Sequence, residues 1–553
     1  MSRSALFGRL RNLFARALAE RPARPHDGPS RRAVMTGLTA ALSAPTLATT
    51  GCKPGTGDGR VAIVGGGIAG IHTAYRLNQA GVTCDVYESS ARFGGRMYTG
   101  TGLFANGHLC ELGGELIDSN HATLWDLSEE LGIAIDDRQS GPYAGLRVDT
   151  WWLDGAEVPD DVLLEQLRAV VDDLVADYDA AETDDDAYLA LDLETLADWL
   201  DRRIPPGQFP ELNGVLDIAY RGEFGLENDQ QSALNLIYLL GLDTDAFRIF
   251  GASDERFHTH AGNSAFVDAM VETLPEASLH RERRLASASG KGPYTLSFDG
   301  PDGAVDVEVD IVVFALPYST LRDCDLTELK LSDDKREIIA DLGYGTNAKV
   351  MAGFTSPYWR DTYQASGSVT ADLPFQQSWD TSLGQEGPGA ILTNFLGGEQ
   401  GTASAAGDAE TWVEDVLLPG LDAVFPGVSE AWTGEAVRMH WPTEPNTKGS
   451  YTCYLPGQWE WWSTEGDQEG NLHFCGEHTS ADFQGWMEGG AESGGRVAAE
   501  VLGDLGVALP AGLARLQRLR SALPPSPGRG ANAIRLLRQR RRVYRAWAEL
   551  HGR

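Results

Sequence analysis

Gly65, Gly67 and Gly70 stand in the spacing Gly-x-Gly-x-x-Gly, and Glu88 follows eighteen positions after the last of them. Such spacing suits one kind of chemistry. Glycines let the backbone close on a pyrophosphate at a helix N-terminus, where the N–H groups of Ile68, Ala69 and Gly70 have no partner within the helix. A carboxylate at Glu88 can accept hydrogen bonds from the hydroxyls of a ribose. A second glycine pair, Gly94-Gly95, lies between Arg92 and Arg96, and the planar fork of arginine fits phosphate oxygens in pairs. Further on, Lys349 leads into Val350-Met351-Ala352, where burying an ammonium is costly unless it is paired. Tyr451 and Trp486 are large rings close to Gly449 and Gly485, and an aromatic face attracts an ammonium.

The elements that must position these residues are legible around them. Val61-Ala62-Ile63-Val64 is a short apolar run of the kind a buried parallel strand needs. It enters the glycine turn directly. Ile71, Ala74, Leu77 and Ala80 then recur at helical spacing up to Gly81, and Cys84-Asp85-Val86-Tyr87 reads as a second strand that closes on Glu88. Strand, helix, strand and terminal acid make a complete dinucleotide-binding unit.

Composition bounds what surrounds it. At 553 residues and 59.7 kDa the chain suits two domains rather than one simple core. Hydrophobic residues at 42% and charged residues at 23% describe a globular protein. The 64 glycines follow no Gly-X-Y period, which excludes collagen. Net charge is -35, unevenly spread: residues 1–60 carry +7, residues 507–553 carry +10, and residues 61–506 carry -52. A body so acidic repels nucleic acid and anionic membranes, so no nucleic acid partner is expected. The six cysteines (Cys52, Cys84, Cys110, Cys324, Cys453, Cys475) form no CxxC pair, and neither a metal site nor a disulfide framework is indicated.

Residues 92–99, Arg-Phe-Gly-Gly-Arg-Met-Tyr-Thr, follow the pattern RxGGRxxT. It continues the FAD site in flavoproteins with two dinucleotide-binding domains. Glu111-Leu112-Gly113-Gly114-Glu115-Leu116-Ile117-Asp118, Gly262-Asn263, the run Ile311-Val312-Val313-Phe314-Ala315-Leu316-Pro317, Lys349, Gly476-Glu477 and residues 485–494 succeed one another in a matching order. Over most of residues 60–505 the chain resembles the flavin amine oxidases, the family of monoamine, polyamine and L-amino-acid oxidases.

The resemblance implies an α/β fold: a Rossmann-like FAD domain with an inserted α+β substrate domain. FAD-binding segments fall at 60–150, 245–345 and 440–506, and substrate-domain segments at 151–244 and 346–439. The first substrate segment reads helical, with Val162, Leu163, Leu164, Leu167, Val170, Val171 and Leu174 recurring at three and four, and the second reads strand-like. For the cofactor, the resemblance implies contacts from Gly65, Gly67, Ile68, Ala69, Gly70, Glu88, Gly94, Gly95, Arg96, Gly113, Gly114, Glu115, Leu285, Gly476, Glu477, Gly485, Trp486 and Met487. It implies that Tyr451 and Trp486 sandwich the substrate amine across the flavin face and that Lys349 holds a water at flavin N5. Ser450 stands where covalently flavinylated relatives carry Cys, so non-covalent FAD is expected.

For the substrate, Glu115 and Asp118 occupy the place where L-amino-acid oxidases carry an arginine, and acids favour a cation over a carboxylate. An amine or polyamine is therefore expected, oxidised with reduction of oxygen to hydrogen peroxide. Asp118 or Ser119 capping a helix from His121 is an equal reading of the acids. An L-amino-acid oxidase, a flavin desaturase and a non-catalytic flavin-binding lipoprotein are the alternatives.

Both ends read as something other than this fold. Ser30-Arg31-Arg32-Ala33-Val34-Met35 and the weakly apolar residues that follow resemble a bacterial twin-arginine (Tat) export signal within residues 1–52, and Cys52 stands at a lipoprotein-like processing site. Residues 508–553 combine Leu513, Leu516, Leu519, Ile534, Leu537, Tyr544 and Trp547 with eleven arginines in amphipathic stripes. Two readings stand side by side: a basic helix on a membrane surface, or a tail folded back on the acidic body.

Overall fold

The computed structural model describes residues 59–138, 140–240, 253–524 and 528–553. The twin-arginine segment, Cys52 and residues 241–252 lie outside the described residues.

Five parallel strands form the central sheet in the order Leu472–Phe474, Ile311–Phe314, Val61–Val64, Cys84–Tyr87, Leu279–His280. The run Val61–Val64 is buried along its whole length, as its continuous apolar sequence requires. From it the chain runs first to Cys84–Tyr87 and Leu279–His280 on one side, and only later adds Ile311–Phe314 and Leu472–Phe474 on the other. The sheet therefore reverses its winding at the carboxyl end of Val61–Val64, which is where open α/β sheets bind ligands. The helix Ile68–Gln79 leaves that point and packs along the helix Met487–Asp504. A three-stranded antiparallel sheet, Arg284–Gly290, Tyr294–Asp299 and Val305–Val309, flanks this body.

The second sheet has seven strands, in the order Trp432–His440, Ala348–Phe354, Ala390–Leu396, Gln377–Asp380, Ala365–Ala371, Arg147–Leu153, Ala156–Glu157. Residue 150 falls inside the strand Arg147–Leu153, so this sheet begins before the boundary expected from sequence. Gly141, Pro142 and Gly145 stand just ahead of that strand and mark the transition. Helices Asp160–Thr183, Asp185–Leu193, Leu196–Arg203 and Pro210–Phe224 follow in the helical stretch. Leu163, Leu167, Val170, Val171 and Leu174 all point into their core.

The tail folds back. Leu513, Leu516 and Leu519 of the helix Ala511–Ser521 are buried, as are Ile534, Leu537, Tyr544 and Trp547 of Ala533–Leu550. Its arginines meet the acidic body at Asp126 (Arg515), Glu460 (Arg529, 2.7 Å), Asp482 (Arg540, 2.6 Å) and Glu129 (Arg553, 2.7 Å). The apolar stripe is covered by protein.

Candidate active site

A cleft of about 290 Å³ opens at the reversal point of the parallel sheet. Its lining includes Gly65, Gly67, Ile68, Ala69, Glu88, Gly94, Gly95, Arg96, Gly476, Glu477, Trp486 and Met487, brought together from four separate parts of the chain. Gly67 caps the helix Ile68–Gln79, and no side chain bonds to that end. A β-carbon added at Gly67 would meet nothing within 4 Å; it would project into the cleft. One at Gly70 would collide with the carbonyl of Gly65. The glycines thus divide their labour: Gly70 closes the turn, and Gly67 keeps the space in front of it. Glu88 is buried and lines the cleft while accepting from the backbone N–H groups of Gly66 (2.7 Å) and Ser90 (2.7 Å). An uncapped helix end, an open glycine and an acid at the next strand end fit the pyrophosphate and ribose of a dinucleotide.

Arg96 fastens three segments around the cleft. It donates to the carbonyl of Ser450 (2.9 Å) and to Glu477 Oε1 (2.8 Å), while Glu477 Oε2 accepts from the N–H of Gly485 (2.7 Å) and the hydroxyl of Thr452 (3.1 Å). Burial alone would push the Glu477 carboxyl up, but Arg96 and the other donors hold it below the ordinary value. Glu477 is an anchor for the loop that carries Trp486. Trp486 lines the cleft, and its ring meets His121 at 5.5 Å between centroids. Tyr451 is fully buried against Trp441, with its hydroxyl donating to the carbonyl of Glu223.

Lys349 is completely buried, and it is paired. Its three N–H groups meet three acceptors: the carbonyls of Glu111 (3.0 Å) and Gly113 (2.9 Å), and Glu115 Oε2 (2.8 Å). Glu115 Oε1 accepts from Trp379 Nε1 (3.0 Å) and the Thr381 hydroxyl (3.1 Å). Burial works to raise the Glu115 carboxyl, yet Lys349 and Arg138 bring it below its ordinary value. Lys349, Trp379 and Thr381 thus commit Glu115 within the protein, where sequence suggested an acid open to substrate.

Asp118 is committed too. Its Oδ1 accepts from the N–H of Glu255 (2.7 Å), and its carboxylate lies 3.4 Å from His121 Nε2. Neither Asp118 nor Ser119 caps the helix Ala122–Leu131. Glu488 does so from a distant helix, accepting from Thr123 N (2.8 Å) and Leu124 N (2.9 Å). Capping across the fold, rather than from the adjacent residues, corrects the local reading. Leu285 packs its side chain into the core beside the three-stranded sheet and is not part of the cleft lining. Gly113 and Gly114 do not line the cleft; they belong to the backbone that Lys349 and Asn263 tie down.

Several lining residues carried no assignment from sequence: Ser89, Ser90, Tyr98, Met439, Trp441, Asn446 and Thr447. Trp441 donates from Nε1 to the carbonyl of Leu112 (3.1 Å), so its ring backs the glycine pair 113–114. The bulky, proline-bearing stretch Trp441-Pro442 directly after a strand was the available signal.

Residues 68–502 match the family described as flavin containing amine oxidoreductase. The chain belongs to that family. An L-amino-acid oxidase of Neurospora crassa is 26% identical over 525 residues, covering 81% of this chain and 72% of that protein. The flavin-dependent L-tryptophan oxidase of Lentzea aerocolonigenes is 25% identical over 481 residues, covering 79% and 96%. Among solved structures, putrescine oxidase bound to putrescine has a TM-score of 0.68 at 20% identity, covering 80% of this chain and 99% of that one. Cyclohexylamine oxidase from Brevibacterium oxydans has a TM-score of 0.68 at 22% identity, covering 81% and 100%. The expected two-domain flavoprotein fold is the one found, and the chain is an FAD-dependent oxidoreductase. The cleft, with the opening at Gly67 and the acid Glu88, fits the adenosine diphosphate half of that cofactor. Ser450, whose hydroxyl donates to Asn347 Oδ1 (2.6 Å), offers no thiol for a covalent bond to the flavin.

Proposed function

We propose that this flavoenzyme oxidises a cationic amine, with Glu255 as the observation that carries the reading. Glu255 is 4% exposed, and neither carboxylate oxygen has a hydrogen-bond partner among the described residues. Burial, with Glu223 and Asp118 close by, pushes its pKa well above the ordinary value. Burial and the neighbouring acids disfavour its ionised form, and a cation placed beside it would favour that form. The site is connected to the rings: Glu255 N–H donates to Asp118, and the carbonyl of Glu223 takes the Tyr451 hydroxyl. Gln377, 1% exposed, also leaves both amide atoms without partners among the described residues, and it lies on the face of the sheet shared with Lys349 through Phe395.

In this reading Tyr451 and Trp486 orient the amine, the acidic group balances its charge, and the site excludes carboxylates. FAD, when bound, would supply the redox chemistry, two-electron oxidation of the amine to an imine by hydride uptake with the electrons delivered to oxygen as hydrogen peroxide. The imine is then hydrolysed to an aldehyde and ammonia or a smaller amine.

A second reading, oxidation of an L-amino acid, is favoured by Arg138. Its guanidinium donates to the carbonyl of Asp380 (2.9 Å) and lies within electrostatic range of Glu115 and Glu255. A substrate carboxylate would find a cation there. Peroxide release on a panel of monoamines, diamines and amino acids separates the two. Amines should turn over, and Glu255→Gln should raise KM for them by roughly tenfold, the loss of one charge-assisted contact. Turnover of amino acids alone, abolished by Arg138→Ala, would overturn the amine reading.

The twin-arginine segment supports a further reading, that the folded flavoprotein is exported across a bacterial membrane and resides in the envelope. Arg31→Lys combined with Arg32→Lys should leave the protein inside the cell on fractionation. Normal export of that variant would remove the reading.

A further inference from the structure

The family match ends at residue 502, yet the tail beyond it reaches the loop that carries Trp486. Arg540 is 8% exposed and binds Asp482 through two parallel contacts, Nε to Oδ1 at 2.7 Å and Nη2 to Oδ2 at 2.6 Å. One helical turn on, the Tyr544 hydroxyl donates to Asp482 Oδ2 at 3.3 Å. The Tyr544 ring stands edge-on to Phe483, with centroids 4.9 Å apart. Phe483 in turn meets the ring of His121 at 5.4 Å, and His121 meets Trp486 at 5.5 Å. The turn is closed by its own backbone, with Trp486 N–H donating to the carbonyl of Phe483 (3.1 Å).

We propose that the C-terminal tail is a positioning element of the catalytic site, in which Arg540 and Tyr544 clamp the Asp482-Phe483 turn and thereby fix the Trp486 wall of the cleft. The physical argument is one of degrees of freedom. The turn contains Gly485 in the left-handed region (φ +82°), a residue with wide conformational freedom, and its local ties are the Phe483 N–H to the Ser480 hydroxyl (3.1 Å) and the Trp486 N–H to the Phe483 carbonyl. Glu477 holds it from the cofactor side through the N–H of Gly485. Its outer side is held by the tail. A bidentate arginine–carboxylate pair restrains orientation as well as distance, and it is largely buried here, with side-chain exposures of 9% and 4%. Arg520 of the first tail helix adds a second fastening, 3.4 Å from Glu492, whose Oε2 accepts from Ser480 (2.6 Å) just before the turn. The inference rests on the reading that Trp486 orients the substrate.

Deleting the tail would strip cover from the core that holds Leu513, Tyr544 and Trp547, so the test uses point variants of the full-length holoenzyme. Arg540→Ala, Arg540→Lys and Arg529→Ala are compared by anaerobic flavin reduction with an amine that the unaltered enzyme oxidises, by the visible flavin spectrum, and by thermal melting. Arg529 is the control, because it fastens the tail to Glu460 (2.7 Å) and Glu337 (3.0 Å), not to the turn. Arg540→Ala should slow reduction about tenfold, as expected when a wall of the site shifts by a fraction of an ångström, and should shift the flavin absorption bands with FAD still bound. Arg540→Lys, which keeps the charge but not the paired contact, should recover only part of the rate. Arg529→Ala should lower the melting temperature and leave the reduction rate within twofold. Normal reduction and an unshifted spectrum in Arg540→Ala would overturn the proposal, as would equal slowing by Arg529→Ala. If Arg540→Ala fails to fold, Tyr544→Phe removes one contact and is read by the same criteria. Should no amine reduce the unaltered enzyme, the substrate reading fails, and the spectral shift still decides whether the tail acts on the site.

Discussion

Gly67→Val is expected to yield a folded protein with no bound flavin. The backbone at residue 67 has φ -70° and ψ 178°, which any residue adopts, and an added β-carbon there touches no protein atom within 4 Å. Stability should therefore change little. The branched side chain would nevertheless fill the front of the uncapped helix end, where the pyrophosphate needs backbone N–H groups within hydrogen-bond reach. Absorbance near the flavin bands, set against protein concentration, gives the occupancy. The unaltered protein should be yellow and release intact FAD on acid precipitation, and Gly67→Val should be colourless with a normal apoprotein melt. Gly70→Ala is the contrasting case. Its β-carbon would strike the carbonyl of Gly65, so it should damage the turn itself and lower the melting temperature. Full flavin occupancy in Gly67→Val would show that the cleft in front of residue 67 is not the phosphate site.

The parts of this site that sequence made legible are those built by neighbours in the chain. The strand Val61–Val64, the glycine turn and Glu88 lie within 28 residues, and local periodicity and turn chemistry specify them together. The partners of the buried charges are another matter. Lys349 meets Glu115 across 234 positions, Asp118 receives the N–H of Glu255 across 137, and Glu488 caps a helix 365 positions away. Each of these acids reads locally as a cap, a substrate contact or a solvated face, because the type of a residue does not say which distant donor will satisfy it. The tail shows the same limit from the other side. Its apolar stripes predict a covered face, but the stripe alone does not distinguish lipid from the Asp482-Phe483 turn. Continuity of the fold decides that, through the Arg540–Asp482 pair.

Lys349→Met is expected to be strongly destabilising, and the cause is Glu115. With the ammonium gone, Glu115 keeps the donors Trp379 and Thr381 but loses its counter-charge in a site where it is 3% exposed. Removing one partner of a buried pair costs about 3–5 kcal/mol, because the survivor is left uncompensated. Because the folded state holds the Glu115 carboxyl below its ordinary value, the pair stabilises the protein above the usual carboxylate range. That contribution is lost as pH falls through the folded value. The defect of Lys349→Met should accordingly be largest near neutral pH and shrink in acid, where Glu115 can take a proton. Adding Glu115→Gln should restore much of the stability, a coupling of about 1–3 kcal/mol. Kinetics then separate structure from chemistry. Family resemblance gives Lys349 a water at flavin N5 and predicts that Lys349→Met slows reoxidation by oxygen more than reduction by substrate. All three of its protons already have protein acceptors, so any such effect would come from the positive charge beside the flavin rather than from an N–H held free for water. A double variant that melts normally yet still reoxidises slowly would assign that charge a role in the oxygen half-reaction. Recovery of both stability and reoxidation in the double variant would leave Lys349 with one task, which is to neutralise Glu115.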